Sequence, residues 1–341
     1  MHQITRDIKM KANEIGFDLV GICEAEELDD YKHYQRWIEK GFHGEMDYLP
    51  RRTAHRKSPK TLMESAKTVI SCALNYYHPT VEGDFDHGMI SNYARNLDYH
   101  KIMSNMLKEL ADFIQKQNKE ALVKYYCDTG PILEKAYSQQ SGIGWIGKNT
   151  CVINQKIGSW IFLGEILCSL PLNPDPPAKN YCGTCRLCID ICPTEAIVAP
   201  YQLDSRKCIS YLTIELRDTI PIDLRKDMGH HLFGCDLCQS VCPWNRNPPE
   251  SPMDTFYPRQ DIRNRSLEEW LDLDEEGFRS IFKQNPVKRT KWMGFMRNVI
   301  VVAGNSRDHK LIGKLEGLYN LNNTLLSEHL DWAIDRLESS K

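Results

Sequence analysis

Between residues 100 and 117, apolar side chains recur at Ile102, Met103, Met106, Leu107, Leu110, Phe113 and Ile114, with charged residues between them. That 3.6-residue period predicts an amphipathic helix. Shorter apolar runs at 17–23, 68–74 and 121–127 predict strands. Pro131 and Gly142 bracket a second helix, with proline near its start and glycine just past its end. Residues 150–154 and 159–167, separated by a turn, read as a hairpin. These elements predict one α+β core over residues 1–175, closed by a stretch rich in proline and asparagine at 171–177. A cysteine-rich segment follows at 176–250, and the chain is again proline-rich at 247–258.

The tail, 251–341, is helical in pattern. Val299, Ile300 and Val302 form one apolar face, Leu311, Ile312, Leu315 and Leu318 a second, and Leu325, Leu326, Leu330, Ile334 and Leu337 a third. Gly304-Asn305-Ser306 predicts a helix stop followed by a new N-cap. Paired helices of this kind are similar to a HEAT repeat. So few repeats do not bury a core alone, so the tail is expected to pack on the body.

With 341 residues the chain is long enough for two or three domains. Its 43 basic against 46 acidic side chains leave a net charge of −3, so a nucleic-acid site has to be a local patch. Two patches qualify. Arg51-Arg52-Thr53-Ala54-His55-Arg56-Lys57-Ser58-Pro59-Lys60 has five fixed positive charges and no acid. Lys288-Arg289-Thr290-Lys291-Trp292, followed by Arg297, has an aromatic inside it. A solvated face and phosphate contact each explain either patch. No apolar run reaches about 18 residues, so no membrane span is expected. The opening stretch has charges in every apolar segment and no small-residue cleavage site, so it does not read as a signal peptide.

Thirteen cysteines are the anomaly, and eight of them fall between Cys182 and Cys242. They read Cys182-x2-Cys185-x2-Cys188-x3-Cys192-Pro193, then Cys208, then Cys235-x2-Cys238-x3-Cys242-Pro243. A zinc ribbon uses two Cys-x2-Cys knuckles, which this is not. Three thiolates at this spacing hold three corners of an iron–sulfur cubane, and the cysteine before proline serves a second cluster. Position 232, where the first cysteine of the second run belongs, is Leu232, and Cys208 stands upstream instead. Crossed ligation then gives Cys182, Cys185, Cys188 and Cys242 to one [4Fe–4S] cluster, and Cys192, Cys208, Cys235 and Cys238 to the other. Cys23, Cys72, Cys127, Cys151 and Cys168 read as small buried hydrophobes. Two clusters imply one-electron transfer in a reducing compartment.

Outside the cysteines, Asp128-Thr129-Gly130 has the aspartic-protease triplet but only once, and Asp128 reads first as an N-cap ahead of Pro131. Gly142, Gly144 and Gly147 suggest a backbone that something flat or anionic approaches, but they precede strand signals, the wrong context for a dinucleotide site. Asp98-x-His100 lacks the glycine of a cobalt-ligating Asp-x-His-x-x-Gly box, so Asp98 reads as a helix N-cap. His230 and His231 read as surface residues.

Several segments, taken in order, resemble one family. They are Arg56-Lys57-Ser58-Pro59, Tyr93-Ala94-Arg95, Asp98-Tyr99-His100, CDTGPILEKAYSQQSGIGWIGKNT (127–150), GSWIFLGEIL (158–167), RKCISYLTIE (206–215), GCDLCQSVCPWN (234–245) and both cysteine runs. The family is epoxyqueuosine reductase, which completes queuosine on tRNA. The resemblance implies a nitroreductase-like cobalamin-binding α+β domain over 1–175, a ferredoxin-like two-[4Fe–4S] domain over 176–250 and a short HEAT-like tail over 251–341. It also implies that Arg56, Ser91, Asp128, Val152, Leu163, Ser210, Cys235 and Asp236 surround the corrinoid, with the second-run cluster as its electron donor. Asp128 would be the acid, with a pKa raised by burial.

Reducing the cyclopentane epoxide to an alkene takes two electrons and two protons and releases water. Clusters pass electrons singly, and a corrinoid stores the pair. A wobble base has to be splayed out of the anticodon loop to reach such a site, which gives the basic residues a use. Lys288, Arg289, Lys291 and Arg297 are then candidates for tRNA phosphates, with Arg217 near the pocket mouth. The remaining expectations are a cytoplasmic monomer fed by an external low-potential electron donor. The alternatives are a corrinoid reductive dehalogenase-like enzyme acting on a small molecule, and a ferredoxin-like electron carrier.

Overall fold

The computed structural model describes residues 2–79 and 88–339. The strands are β1 (Leu19–Glu24), β2 (Thr68–Asn75), β3 (Met89–Ile90), β4 (Val123–Tyr126), β5 (Trp145–Ile146), β6 (Val152–Ile153), β7 (Ile161–Cys168), β8 (Ile197–Ala199), β9 (Gln202–Leu203) and β10 (His231–Phe233). β2 is buried along its whole length because it lies inside an antiparallel four-stranded sheet of order β1-β2-β7-β4. Strand alternation sorts the sheet's side chains into two cores. On one face Ile22, Ile70, Cys72, Leu74 and Ile166 meet Ile8 and Ala12 of α1 (His2–Ile15) and Met103, Leu107, Leu110 and Ile114 of α2 (Tyr99–Gln117). On the other, Cys23, Val69 and Leu167 meet Tyr137 of α3 (Glu134–Gln140). The C-terminal end of α3 comes so close to β1 that a Cβ on Gly21 would stand 2.0 Å from the Ser141 carbonyl oxygen.

The expected helix and three strands of this core therefore form. The expected hairpin does not. β6 pairs with β5, while β7 joins the central sheet, and only an Asn154–Gly158 bridge links the two segments. Gly158, at φ +72°, turns the chain from one sheet towards the other.

The cysteine-rich segment folds around two one-turn helices, Leu187–Asp190 and Leu237–Ser240, packed on each other, with the β8–β9 hairpin beside the first and the short helix α4 (Ile209–Ile214) between them in the chain. It is joined to the α+β layers by a parallel pairing of β10 with β3. The Met89 N–H donates to the His230 carbonyl at 2.6 Å and the Ser91 N–H to the Phe233 carbonyl at 2.8 Å.

The tail packs on the body, as so short a helical array requires. Phe295, Met296, Val299 and Ile300 of α5 (Lys291–Asn305) and Leu326, Leu330 and Leu337 of α6 (Thr324–Glu338) share one core with Ile90, Leu232 and Phe233 of the β3–β10 pair. The N-cap after α5 is Asp308, whose carboxylate accepts the Lys310 N–H at 3.1 Å. Ser306 instead donates its hydroxyl back to the Ala303 carbonyl at 2.7 Å, which corrects the expected cap.

Arg297 also departs from expectation. It is fully buried, and its guanidinium donates to the carbonyls of Leu212 (2.7 Å), Leu216 (3.0 Å) and Asp218 (2.6 Å). These are the otherwise unpaired carbonyls at the end of the Ile209–Ile214 helix and just beyond it. Arg297 is a structural pillar and does not reach a tRNA phosphate. Replacing Arg297 with alanine strands three buried acceptors and is expected to cost on the order of 3 kcal/mol or more. Anaerobic thermal denaturation reads this as a lowered Tm, and an unchanged Tm would return Arg297 to the surface candidates.

Candidate functional site

Each cysteine run curls in the same way. Gly183 (φ +48°) and Gly234 (φ +73°) supply left-handed turns, and the one-turn helices carry Cys188 and Cys238 inward before Cys192-Pro193 and Cys242-Pro243 end each run. Burial pushes the Cys188 thiol up to about 11, and Cys182, Cys242 and Cys185 push it the same way. Burial pushes Cys235 up to about 12, with Cys208 and Cys192 adding to it. Cys238 is raised well above the ordinary thiol range by a bond to Cys151, by burial, and by Cys208 and Cys235. The neighbours thus fall into two groups, Cys182/Cys185/Cys188/Cys242 and Cys192/Cys208/Cys235/Cys238.

Four converging, half-buried thiols are the donor set of a [4Fe–4S] cluster, whose iron takes the place of the thiol protons. Among the described residues no three His, Cys, Asp or Glu groups close on a single ion; the ligands of a cubane stand at its separate corners. Leu232 is buried in the tail core, and Cys208, at the start of the Ile209–Ile214 helix, lies beside Cys192, Cys235 and Cys238. Donors reach the first run: the Trp145 indole N–H donates to Cys182 Sγ at 3.4 Å, the Ala196 N–H to Cys192 Sγ at 3.3 Å, and the Thr194 hydroxyl lies 3.7 Å from the same Cys192 Sγ. Cys23, Cys72, Cys127 and Cys168 are buried hydrophobes as expected. Cys151 is not, since its Sγ lies against Cys238 and donates to Gln239 Oε1 at 3.6 Å. His230 is exposed as expected, but His231 is buried on β10 with Nε2 3.8 Å from Cys235 Sγ.

The second part of the site is an acid relay at the end of β4. Past Tyr126 the chain turns through Asp128, whose φ is +58°. The Asp128 N–H donates to Glu134 Oε1 at 2.7 Å. The N-cap of α3 is Leu133 and makes no side-chain bond, so the capping role expected of Asp128 is absent. Its carboxylate instead accepts from His100 Nε2 at 3.1 Å. His100 Nδ1 bonds Asp98 Oδ1 at 2.6 Å, and Asp98 also caps α2 and accepts from Lys288 Nζ at 2.7 Å.

Burial opposes a charge on His100, but the bonds to Asp128 and Asp98 outweigh it and raise the imidazole to about 9. The same His100 bond, against burial, holds the Asp128 carboxyl below its ordinary range. At neutral pH the proton therefore sits on His100, not on Asp128, which reverses the expected raised pKa. An imidazole clasped between two carboxylates takes the proton from both.

Tyr93 lies between this relay and the cluster segment. Its hydroxyl is raised by burial and then by the charges of Asp128, Asp236 and Glu215. Its ring packs edge-on to Tyr99, which stacks on Phe162 at 3.9 Å. Asp236 accepts the Asn92 N–H at 2.7 Å beside Ser91, and a Cβ on Gly234 would stand 2.1 Å from Ser91 Oγ. Ser91, Cys235, Asp236 and Asp128 are thus brought together around Tyr93. Val152 and Leu163 meet in an apolar patch with Ala73 and Ile143, and Ser210 lies beside Cys208. Arg56 stands on a separate turn, bonded to the Leu49 and Arg52 carbonyls and 5.6 Å over the Tyr34 ring. At Gly144 the close approach is the chain's own, with a Cβ falling 2.4 Å from the Ile153 carbonyl oxygen.

Lys288, Arg289, Lys291 and Arg217 are exposed, unlike Arg297. Arg289 forks onto Glu215 at 2.6 and 3.0 Å, and Arg217 braces the turn through the carbonyls of Thr290 and Arg289. Lys283, Lys288, Lys291 and Trp292 line a cleft of about 340 Å³ with Phe278 and Phe282. The first basic stretch is partly neutralised, with Lys57 on Glu27 and Lys60 on Glu26. Sequence reasoning missed the proton-holding role of His100 and the carboxyls of Glu134 and Glu165 behind Asp128; the quoted Asp98-Tyr99-His100 segment was the signal for the first.

Residues 181–245 match the family described as 4Fe-4S double cluster binding domain, and residues 56–129 match the family described as Epoxyqueuosine reductase QueG, DUF1730. An epoxyqueuosine reductase from Leadbetterella byssophila is 41% identical over 303 residues, covering 89% of this chain and 99% of the relative. A crystal structure of epoxyqueuosine reductase with an epoxyqueuosine-modified tRNA-Tyr stem loop superposes with a TM-score of 0.91 at 27% identity, covering 98% of this chain and 90% of that one. The Bacillus subtilis enzyme with its catalytic aspartate loop swung out of the active site gives 0.88 at 26% identity, with coverage of 98% and 90%. The fold, the paired cluster frames and these matches over nearly the whole chain together establish that it belongs to the epoxyqueuosine reductase family.

Proposed function

We propose that this chain reduces the epoxide of epoxyqueuosine, at the wobble position of tRNA, to the alkene of queuosine, taking up two electrons and two protons and releasing water. The observation that carries the reading is the meeting, around Tyr93, of a protonated histidine–carboxylate pair with the turn that bears a cluster cysteine. Residues 1–175 supply the reaction chamber, 176–250 the electron path and 251–341 the tail that meets tRNA. Cys182, Cys185, Cys188 and Cys242 hold the outer cluster, and Cys192, Cys208, Cys235 and Cys238 the inner one. Cobalamin, when bound, supplies a centre that collects two electrons from one-electron donors. The apolar patch at Val152 and Leu163 and the polar rim at Ser91 and Asp236 suit the broad, amphipathic face of such a group. Arg56, Asp128, Ser210 and Cys235 complete the proposed surround.

Asp128 is the acid that meets the opening oxygen, and His100 holds the proton it passes on. The swung-out catalytic aspartate loop of the Bacillus subtilis relative supports this, since Asp128 stands on a left-handed turn past the end of β4. The relative solved with a modified stem loop supports tRNA as partner, and Lys288, Arg289, Lys291 and Arg217 lie on the same side as the relay, Lys288 touching Asp98. A base splayed from a single-stranded loop passes between them. The cytoplasm suits thirteen unpaired cysteines. A monomer suits a site drawn from one chain, and an external low-potential donor feeds the outer cluster. A dehalogenase or an electron carrier leaves the tail cations and the acid relay without a use.

Reconstituted without oxygen and given cobalamin, a strong reductant and epoxyqueuosine-bearing tRNA, the enzyme is expected to yield a nucleoside lighter by one oxygen, read by mass spectrometry of the digest. No conversion with intact clusters and bound corrinoid would overturn the reading.

Because His100 is raised, its proton is present at low and neutral pH and is lost as pH rises through about 9. Turnover should fall over that window, and His100→Gln should remove the fall while lowering the rate by about 100-fold. An unaltered profile would take the proton away from His100.

Paired Arg289→Ala and Lys291→Ala changes should lower the slope of log affinity against log salt by about 1.5, given roughly 0.7 per single-strand phosphate contact. A slope equal to that of the parent would move the tRNA path elsewhere.

A further inference from the structure

Behind Asp128 lies a group that the mechanism above does not use. Glu165 is in the middle of β7, opposite Ser71 of β2 and Tyr126 of β4, and is wholly buried. Alternation along β7 points it to the same face as Leu167, the face covered by α3. Among the described residues no donor stands in good hydrogen-bond geometry to either of its carboxyl oxygens, the Ser138 hydroxyl being a weak neighbour and the Ser71 hydroxyl unpartnered. A carboxylate left so is costly, whereas a carboxylic acid needs only an acceptor. That acceptor is at hand, because the Glu165 and Glu134 carboxyls lie within hydrogen-bonding reach of each other. Glu134 in turn accepts the backbone N–H of Asp128 at 2.7 Å. Around the pair stand Cys23, Cys72 and Cys127, all buried thiols, the Asp128 carboxylate, and Lys135, whose charge favours the ionised Glu134. Asp128 is answered by the His100 imidazolium and Glu134 faces Lys135, so a proton shared with Glu134 is what answers Glu165. Burial raises both carboxyls, Glu134 with the Asp128 charge and Glu165 with Glu134 adding to it; since Glu134 already accepts the Asp128 N–H while Glu165 is wholly buried, Glu165 is the member that carries the proton.

We propose that Glu165 is a protonated acid that donates to Glu134, and that the pair holds Asp128 in its left-handed turn, making Glu134 and Glu165 positioning residues for the reaction. The inference rests on the reading of Asp128 as the acid. A φ of +58° is unfavourable for aspartate, so the turn needs an external bond to persist. The N–H bond to Glu134 is that bond, and it keeps its orientation only while Glu134 itself is anchored from behind. Without the proton, Glu134 and Glu165 repel and Glu134 turns towards solvent, releasing the Asp128 turn.

The test uses the holoenzyme, with clusters and cobalamin loaded. Infrared spectroscopy of the parent at neutral pH should show a carboxylic-acid C=O band that shifts in deuterated buffer and is missing from Glu165→Gln. The glutamine amide donates to Glu134 in the proton's place, so this variant should keep kcat within about threefold of the parent, whereas Glu165→Leu, which cannot donate, should lose about tenfold or more in kcat with KM for tRNA unchanged. A band that persists in Glu165→Gln, or equal turnover of the glutamine and leucine variants, would overturn the proposal. Should Glu165→Leu fail to retain its clusters, the band and the glutamine rate still decide. A parent that shows the band but does not convert epoxyqueuosine would sink the functional reading and leave the shared proton standing.

Discussion

The site depends on a two-residue parallel pairing, β3 against β10. By itself such a pair is too short to persist in water. It persists because its far side is the core of the tail, where Leu232 and Phe233 are fully buried against α5. Asn298 of α5 donates to the carbonyls of Thr213 and Leu232, and the Thr213 hydroxyl accepts the Gly234 N–H at 2.9 Å. The Leu232 carbonyl, which the short pair leaves free, is thereby answered by the tail, and the Ile90 carbonyl by Arg95 Nε at 2.6 Å. The consequence is felt one residue further on, where Ser91 and Asn92 meet Asp236 and place Cys235 beside the end of the central sheet.

Charge inside this arrangement is ordered by pairing. Asp98, His100 and Asp128 form a line with Lys288 at its outer end, and the proton rests on the imidazole because two carboxylates stabilise it there. A proton held on His100 is available at neutral pH, where a raised Asp128 acid would have had to wait for burial. The same line ties the tail to the chamber, since Lys288 belongs to the basic turn and Asp98 to the start of α2. Two arginines of the tail show how context divides one residue type. Arg289 is exposed and forks onto Glu215, while Arg297, eight positions on and inside α5, spends its donors on carbonyls.

Much was legible in the sequence where the physics is local. The period of 100–117 became α2 with Met103, Leu107, Leu110 and Ile114 inward, since a helix is built from bonds between residues four apart. The cysteine spacing announced a double-cluster domain, because thiolates at such intervals have few ways to meet. Departures occurred where a partner from far along the chain decided. The 150–167 segment parted into two sheets, since β7 found β2 and β4 more favourable than β6. Asp128 lost its capping role to a relay with His100, 28 positions earlier.

By itself the sequence determined the helix and strands of the first core, the two cysteine runs and the family, since each rests on spacing within short windows and on an ordered set of such windows. Tertiary structure alone decided which titratable groups share a proton, which arginine faces solvent and what holds Asp128 in its turn. Those properties depend on burial and on the distance between groups remote in sequence, and neither is written in any one segment of the chain.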